Sequence, residues 1–311
     1  MIDRVLVTGG AGFVGSNLVR LLLERGYAVR VLDNFARGRQ AYLQGLDVEI
    51  VEADIRQAEA IGGAFAGVDR AVHLAALGSV VESIEDPVTN FESNVLGTFN
   101  VLRAATEAGV ERLVFSSTGG ALIGNATPPV NENSLPRPIS PYGAGKLCCE
   151  AYCHAFAHAY GLPIVATRFA NVYGAYSDHK QGVINQFFRR IQAEQPMVIY
   201  GDGSATRDYI HVDDICRGLL SALTLDLSTP EVIHLASGEE TSLATLAGYF
   251  KEISGQPDHP IEFADRRPGE VERNFATYDR AREVLGFHPE ISLREGLAMT
   301  WDWFCQRNFD E

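Results

Sequence analysis

A strand that runs into three spaced glycines and then into a helix restricts the fold of this chain more than any other stretch. Val5 to Thr8 is short, apolar and β-branched, and Ser16 to Arg25 carries Leu18, Leu21 and Leu22 at helical spacing. Between them stand Gly9-Gly10-Ala11-Gly12-Phe13-Val14-Gly15, with Gly9, Gly12 and Gly15 at three-residue intervals. Gly9 suits a tight turn, Gly12 lets a backbone approach its ligand, and Gly15 lets the helix pack closely on the strand. Ala28 to Leu32 is a second strand closing on Asp33, which completes one βαβ unit.

The alternation continues. Val48 to Glu52, Arg70 to Leu74, Arg112 to Ser116 and Pro163 to Arg168 read as strands, with helices near 55–65, 88–108 and 141–160. Buried strands alternating with helices predict an α/β fold, a doubly wound parallel sheet of the Rossmann type covered on both faces. Beyond residue 168 the pattern loosens into strands at Met197 to Tyr200 and Glu231 to Ala236 and helices near 182–193, 212–223 and 241–254. This predicts a dinucleotide-binding domain over 1–172 with a return near 207–237, and a smaller C-terminal substrate-binding lobe over 173–206 and 238–311.

The glycine turn and Asp33 together point to a dinucleotide. The helix N-terminus attracts a pyrophosphate, while a carboxylate at 33 accepts both ribose hydroxyls and repels a 2′-phosphate. NAD is therefore expected over NADP, with Arg37 and Arg39 read as a solvated loop. A net charge of −14, spread along the chain, disfavours nucleic acid and anionic membrane as partners. No apolar run approaches the length of a membrane span, and the first residues lack a signal-peptide pattern, so a cytoplasmic location is expected. The five cysteines include Cys148, Cys149 and Cys153 in one helical stretch, which read as buried thiols.

Tyr142 and Lys146 lie four residues apart at the start of a predicted helix and share a face. An ammonium beside a phenol favours the phenolate, which makes Tyr142 a candidate general base. Thr118 ends a strand at the carboxyl edge, where open α/β sheets hold their ligands. His211 reads as structural, Asp213 as a helix cap, and His154 and His158 as a pair lacking a third metal ligand. Trp301 and Trp303 read as packing residues.

TGGAGFVG at 8–15, DN at 33–34, AD at 53–54, HLAA at 73–76, NVLGT at 94–98, FSST at 115–118 and YGAGK at 142–146 together resemble the extended short-chain dehydrogenase/reductase family. RFANVYG at 168–174, YGDGSATRDYIHVDDI at 200–215, RRPGEV at 266–271 and LGFHP at 285–289 resemble its nucleotide-sugar branch. The resemblance implies NAD contacts from Gly9, Gly12, Phe13, Val14 and Gly15 to the pyrophosphate, Asp33 and Asn34 to the ribose, and Asp54 and Ile55 to the adenine. It implies that Leu74, Ala75, Ala76, Asn94 and Ser116 line the cofactor cleft, and that Lys146 bonds the nicotinamide ribose. Thr118 would hold the reacting sugar oxygen, and Ser79, Asn171, Arg207 and Arg267 would hold the rest of a nucleoside diphosphate sugar.

Three chemistries of that branch share oxidation at C4. Its 4,6-dehydratases follow the catalytic Thr with an Asp-Glu pair, and its decarboxylases place a Glu nearby, whereas Gly119 and Gly120 stand here. The expectation is therefore a 4-epimerase, with dehydration or decarboxylation as the alternative and a non-catalytic NAD sensor as the remote one. Ile123-Gly124 replaces a frequent Tyr-Gly, and Ala175-Tyr176-Ser177 replaces a frequent Pro-Arg, so glucose, N-acetylglucosamine and glucuronate stay open. A homodimer through helices near 88–108 and 141–160 is implied as well.

Overall fold

The computed structural model describes residues 3–225, 230–266 and 272–306. Seven parallel strands form the central sheet: β1 (Arg4–Thr8), β2 (Ala28–Asp33), β3 (Val48–Glu52), β4 (Arg70–His73), β5 (Arg112–Thr118), β6 (Ile164–Phe169) and, returning late in the chain, Glu231–Leu235. Numbered in chain order, that last strand is β11, and the sheet order is β11-β6-β5-β4-β1-β2-β3. The order reverses between β1 and β4, which opens a crevice at their carboxyl ends, where Thr8 and His73 are register partners.

Apolar strands buried on both faces need cover on both sides. One face packs against the helices Phe13–Glu24 and Val212–Thr224, with Leu18, Leu22, Ile215 and Leu219 in the core. The other face packs against Gly97–Glu107 and Pro141–Tyr160 through Val101, Leu102, Cys149, Cys153 and Phe156. Cys148 is only half-buried and Cys305 is exposed, and all five thiols are free.

Two predicted helices are interrupted. The stretch near 55–65 is one α-turn, Ala58–Ile61, followed by a 3₁₀ turn, Gly62–Phe65, because adjacent Gly62 and Gly63 favour no continuous helix. The stretch near 88–108 comprises Pro87–Phe91, a π-turn at Glu92–Leu96 and Gly97–Glu107.

The remaining strands are short. β7 (Asn171–Tyr173) pairs in parallel with β10 (Tyr209–His211), and β8 (Met197–Tyr200) with β13 (Ile261–Ala264). β9 (Thr206–Arg207) lies between β12 (Thr241–Ser242) and β14 (Arg273–Asn274). A separate aromatic core beneath them joins Phe187, Phe188, Phe250 and Phe304. Trp301 stacks on Phe188 at 5.3 Å, as its packing role requires. Each fully buried side chain of this size contributes about 1.5–3 kcal/mol.

Candidate active site

The glycine turn is shaped by what a side chain would strike. Gly9 adopts φ 70°, and a Cβ there would stand 2.7 Å from the Ala75 backbone nitrogen. A Cβ on Gly15 would overlap the Gly9 carbonyl oxygen, so the first turn of the helix rests directly on the loop before it. Gly12 occupies the N-cap and lays no side chain over the first-turn N–H groups, and no acidic residue enters that turn. Uncapped donors and a positive helix end form a cradle that fits a pyrophosphate.

Asp33 is buried at the end of β2 and accepts backbone N–H groups from Ala11 and Phe35, each at 2.9 Å. Burial raises its pKa, while those donors pull the other way. Arg37 and Arg39 stand exposed in the loop after β2, and each meets an acid: Arg37 pairs with Glu82 at 2.6 Å and Arg39 with Asp178 at 2.9 Å. Acids on distant segments neutralise both, which leaves a 2′-phosphate no dedicated cation and agrees with NAD.

Asn34 donates to Asp54, and Arg56 holds the Asp54 carboxyl at a pKa of about 2. Ile55 is a core residue against which Gly97 packs, and the Ile55 carbonyl accepts from Asn100 at 3.0 Å. Leu74, Ala75 and Ala76 follow β4 and are half-buried. Their path is set by Asn94, whose Oδ1 accepts the Leu77 N–H at 2.8 Å while its Nδ2 donates to the Leu77 carbonyl. Asn94 thus spends its amide on the loop, which makes its influence on a cofactor indirect. Ser79 likewise uses its hydroxyl to cap the helix Val80–Glu85.

Tyr142 and Lys146 sit in the first turns of Pro141–Tyr160, a helix begun by Ser140 as cap and Pro141 at its first position. The Tyr142 phenol lies beside the Thr118 side chain, which draws its pKa down. Lys146, 3% exposed, donates to the Ser116 carbonyl at 2.7 Å, and its ammonium stands 4.7 Å from the Phe115 ring centroid. The Ser116 hydroxyl donates to the His73 carbonyl at 2.9 Å.

One expectation about this pair is corrected. The Tyr142 phenol is pushed up to about 12, chiefly by burial and only partly offset by Thr118. Lys146 exerts no resolved downward pull on it, because the ammonium is itself desolvated and turned toward Ser116. The chain alone holds Tyr142 protonated.

On the far side of the cleft, Asn171 begins β7 and donates through Nδ2 to the Asp208 carbonyl at 3.0 Å. Arg207 lies in β9 and donates to the Thr206 carbonyl at 2.7 Å. Arg267 lies outside the described residues. His211, not Asp213, caps the helix Val212–Thr224 by accepting the Asp213 N–H at 3.3 Å, because Asp213 is already in its first turn. The His154 and His158 rings lie tilted against one another with centroids 4.2 Å apart.

The sequence reading missed two side-chain supports of the site, Glu150 and Asp208, and the backbone distortion at Asn94. Glu150 grips Arg168 through both oxygens, at 2.9 and 2.8 Å, and accepts the Ser117 hydroxyl at 2.5 Å, directly behind Thr118. Asp208 is buried and accepts from Ser237 and Gly238, tying β9 to the loop after β11. Asn94 stands in a π-turn, a local distortion frequent at functional sites. The acids in this sequence are numerous, and nothing local marks which of them will be buried.

A family model described as the NAD dependent epimerase/dehydratase family matches residues 5–236. A UDP-glucose 4-epimerase of Mycolicibacterium smegmatis is 38% identical over 316 residues, covering 98% of this chain and 99% of that protein. The crystal structure of a Thermotoga maritima UDP-glucose 4-epimerase with UDP-glucose superposes with a TM-score of 0.93 at 36% identity, covering 97% of this chain and 99% of the other. A Thermus thermophilus UDP-glucose 4-epimerase in complex with NAD gives a TM-score of 0.90 at 36% identity, covering 98% of this chain and all of the other.

Proposed function

The chain belongs to the NAD-dependent epimerase/dehydratase family, and from that premise we propose that it inverts C4 of a UDP-hexose, UDP-glucose foremost, using one resident NAD. The observation that carries this reading is Tyr142 placed beside Thr118 at the carboxyl edge of β5, followed by Gly119 and Gly120 where no acid is available.

When bound, NAD supplies the ring that accepts the C4 hydride and gives it back. Gly9, Gly12 and Gly15 with the helix N-terminus would hold its pyrophosphate, Asp33 its adenosine ribose and Lys146 its second ribose. As the phenolate that the positive charge of bound NAD would favour, Tyr142 would take the 4-hydroxyl proton as the alcohol is oxidised, and Thr118 would hold the same oxygen. Because no acid follows Thr118, the 4-keto sugar has no partner for loss of water. It turns within the pocket, and Tyr142 returns the proton when the hydride arrives on the opposite face. Arg207 and Asn171, with Arg267, would grip the diphosphate against the acidic field of the whole chain.

We take residues 1–172 with 207–237 as the cofactor domain and 173–206 with 238–311 as the substrate lobe. No described helix is long and apolar enough to cross a membrane. Exposed Val81, Ile84, Val88, Phe91, Tyr152 and Tyr160 on neighbouring helices support a homodimer, and the free thiols support a reducing cytoplasm.

The test is proton NMR of the purified protein, without added cofactor, with UDP-glucose, UDP-N-acetylglucosamine, UDP-glucuronate and dTDP-glucose supplied separately. A galacto-configured anomeric signal reaching a stable ratio is expected with UDP-glucose. A 4-keto-6-deoxy product, loss of a carboxylate, or no reaction would overturn the reading.

A further inference from the structure

The segment that follows β7 crosses back onto the cofactor domain. The Ala175 carbonyl accepts from Asn17 at 3.0 Å, Arg20 lies 4.4 Å from the Tyr176 ring centroid, and the buried Asp178 carboxylate pairs with Arg39 at 2.9 Å. From its own lobe the helix Val183–Gln192 fastens the same segment. Asn185 donates to the Ser177 carbonyl, and Arg189 donates to the carbonyls of Asp178 and Lys180. The Lys180 N–H closes the turn on the Ser177 carbonyl at 2.8 Å. Both lobes therefore fix the backbone that carries Lys180, whereas among the described residues its ammonium holds neither a hydrogen bond nor an ion pair.

That ammonium faces the cofactor cleft. A Cβ on Gly78 would stand 3.8 Å from Lys180 Nζ, and Gly78 ends the strip that begins at Leu74 and presses on Gly9 through Ala75. The charge also reaches Lys146: desolvation chiefly lowers the Lys146 pKa, and Lys180 adds to the effect. Surrounding protein lowers the Lys180 pKa in turn, by desolvation first and Arg37 second, with Glu82 opposing, yet the residue stays exposed. A cation so enclosed and still wet lines a cleft, not an outer face. Its neighbour Arg37 is already paired with Glu82. From this placement we infer that Lys180 is a cofactor-binding residue, a cation of the substrate lobe that pairs with the pyrophosphate of NAD. The inference rests on the reading of the chain as an enzyme with one resident NAD. The helix end at Gly12 offers N–H groups and about half a positive charge, against a pyrophosphate that carries two negative ones in an acidic protein. Lys180 adds a full charge at that place. NAD is then held by both lobes and leaves only when the segment 175–180 lets go, which suits a cofactor that is reduced and reoxidised within each turnover.

The experiment compares wild type, Lys180→Arg, Lys180→Gln and Lys180→Glu as purified with their NAD. Release of NAD is followed by trapping the free nucleotide with an NAD-consuming hydrolase, with Kd for UDP and the urea midpoint measured in parallel. Lys180→Gln is expected to lose NAD about 10- to 100-fold faster, the worth of a charge-assisted hydrogen bond. Lys180→Glu should lose it faster still, and Lys180→Arg should stay near wild type, since either cation pairs with a phosphate. Added salt should speed release from wild type more than from Lys180→Gln. The Kd for UDP and the urea midpoint should not move. Equal release rates across the series, a weaker Kd for UDP with NAD release unchanged, or release that follows the urea midpoint instead of the charge at 180 would overturn the inference. A wild-type protein that keeps its NAD but turns over no UDP-hexose would instead overturn the proposed function.

Discussion

Asp33 accepts the Ala11 N–H at 2.9 Å, so the carboxylate expected to hold the adenosine ribose also fastens the glycine turn that holds the pyrophosphate. Cofactor choice and loop geometry therefore cannot be varied separately at this position. Asp33→Ala should lose resident NAD and about 1.5–3 kcal/mol of stability, the worth of a hydrogen bond to a charged group. NAD content after purification and the urea midpoint check both effects. Loss of NAD with an unchanged midpoint would mean that the turn stands without Asp33.

Gly15→Ala probes the same turn from the helix side. The added methyl would strike the Gly9 carbonyl, and overpacking of this kind costs about 1–3 kcal/mol. The expected outcome is a folded protein of lower thermal midpoint that retains little NAD, read by calorimetry and by nucleotide released on denaturation.

Tyr142→Phe should fold, keep NAD and lose at least about 100-fold in turnover. Since burial pushes the phenol up to about 12, the cofactor-free wild type should show no Tyr142-dependent phenolate at neutral pH in an ultraviolet titration. A Tyr142-dependent step near neutrality in that protein would overturn the assignment of burial as the controlling cause.

His73 and His234 are buried, and burial lowers both to about 3. An unfolded histidine takes its proton near 6.5, so the unfolded chain binds more protons over the interval between those values. The stability each neutral ring contributes is complete above about pH 6.5 and is lost as pH falls toward 3, at about 1.4 kcal/mol per pH unit. Neither His234 ring nitrogen has a partner among the described residues, so His234→Leu removes the titration without breaking a bond. Urea midpoints from pH 7 to 4 should fall less steeply in that variant, and equal slopes would count against the assignment.

Glu150→Gln leaves the Arg168 guanidinium, 5% exposed, without its counter-charge. Removing one member of such a pair typically costs about 3–5 kcal/mol. Chemical denaturation should show that loss, and Ser117, which also bonds Glu150, should carry part of it into turnover.

The legible parts of this fold were those built from period and punctuation. Strands β1 to β6 followed from apolar runs, and the glycine turn followed from spacing between a strand and a helix. Tyr142, Lys146 and Thr118 stood out because helix register and strand ends constrain where side chains project. What escaped the sequence depended on distant partners. The Arg37–Glu82 and Arg39–Asp178 pairs, the Glu150–Arg168 pair and the contacts of Asp208 each join residues that nothing local associates. The direction of the Tyr142 pKa also escaped, because proximity to Lys146 is visible in a helical register whereas desolvation is a property of everything packed around it.

The Asp208 carboxylate, bonded to Ser237 and Gly238 beside strand β9, has a consequence for the order of events during synthesis. Strands β1 to β6 can pair with one another as they leave the ribosome, since all six end before residue 170, and only the outer edge of β6 awaits a later strand, β11. Strand β9 lies between β12 and β14, so its setting is completed only after Asn274 has emerged. A nascent chain therefore acquires a surface able to hold a dinucleotide well before it acquires one able to hold a sugar. Early capture of NAD would stabilise the part already made while the rest is still being translated.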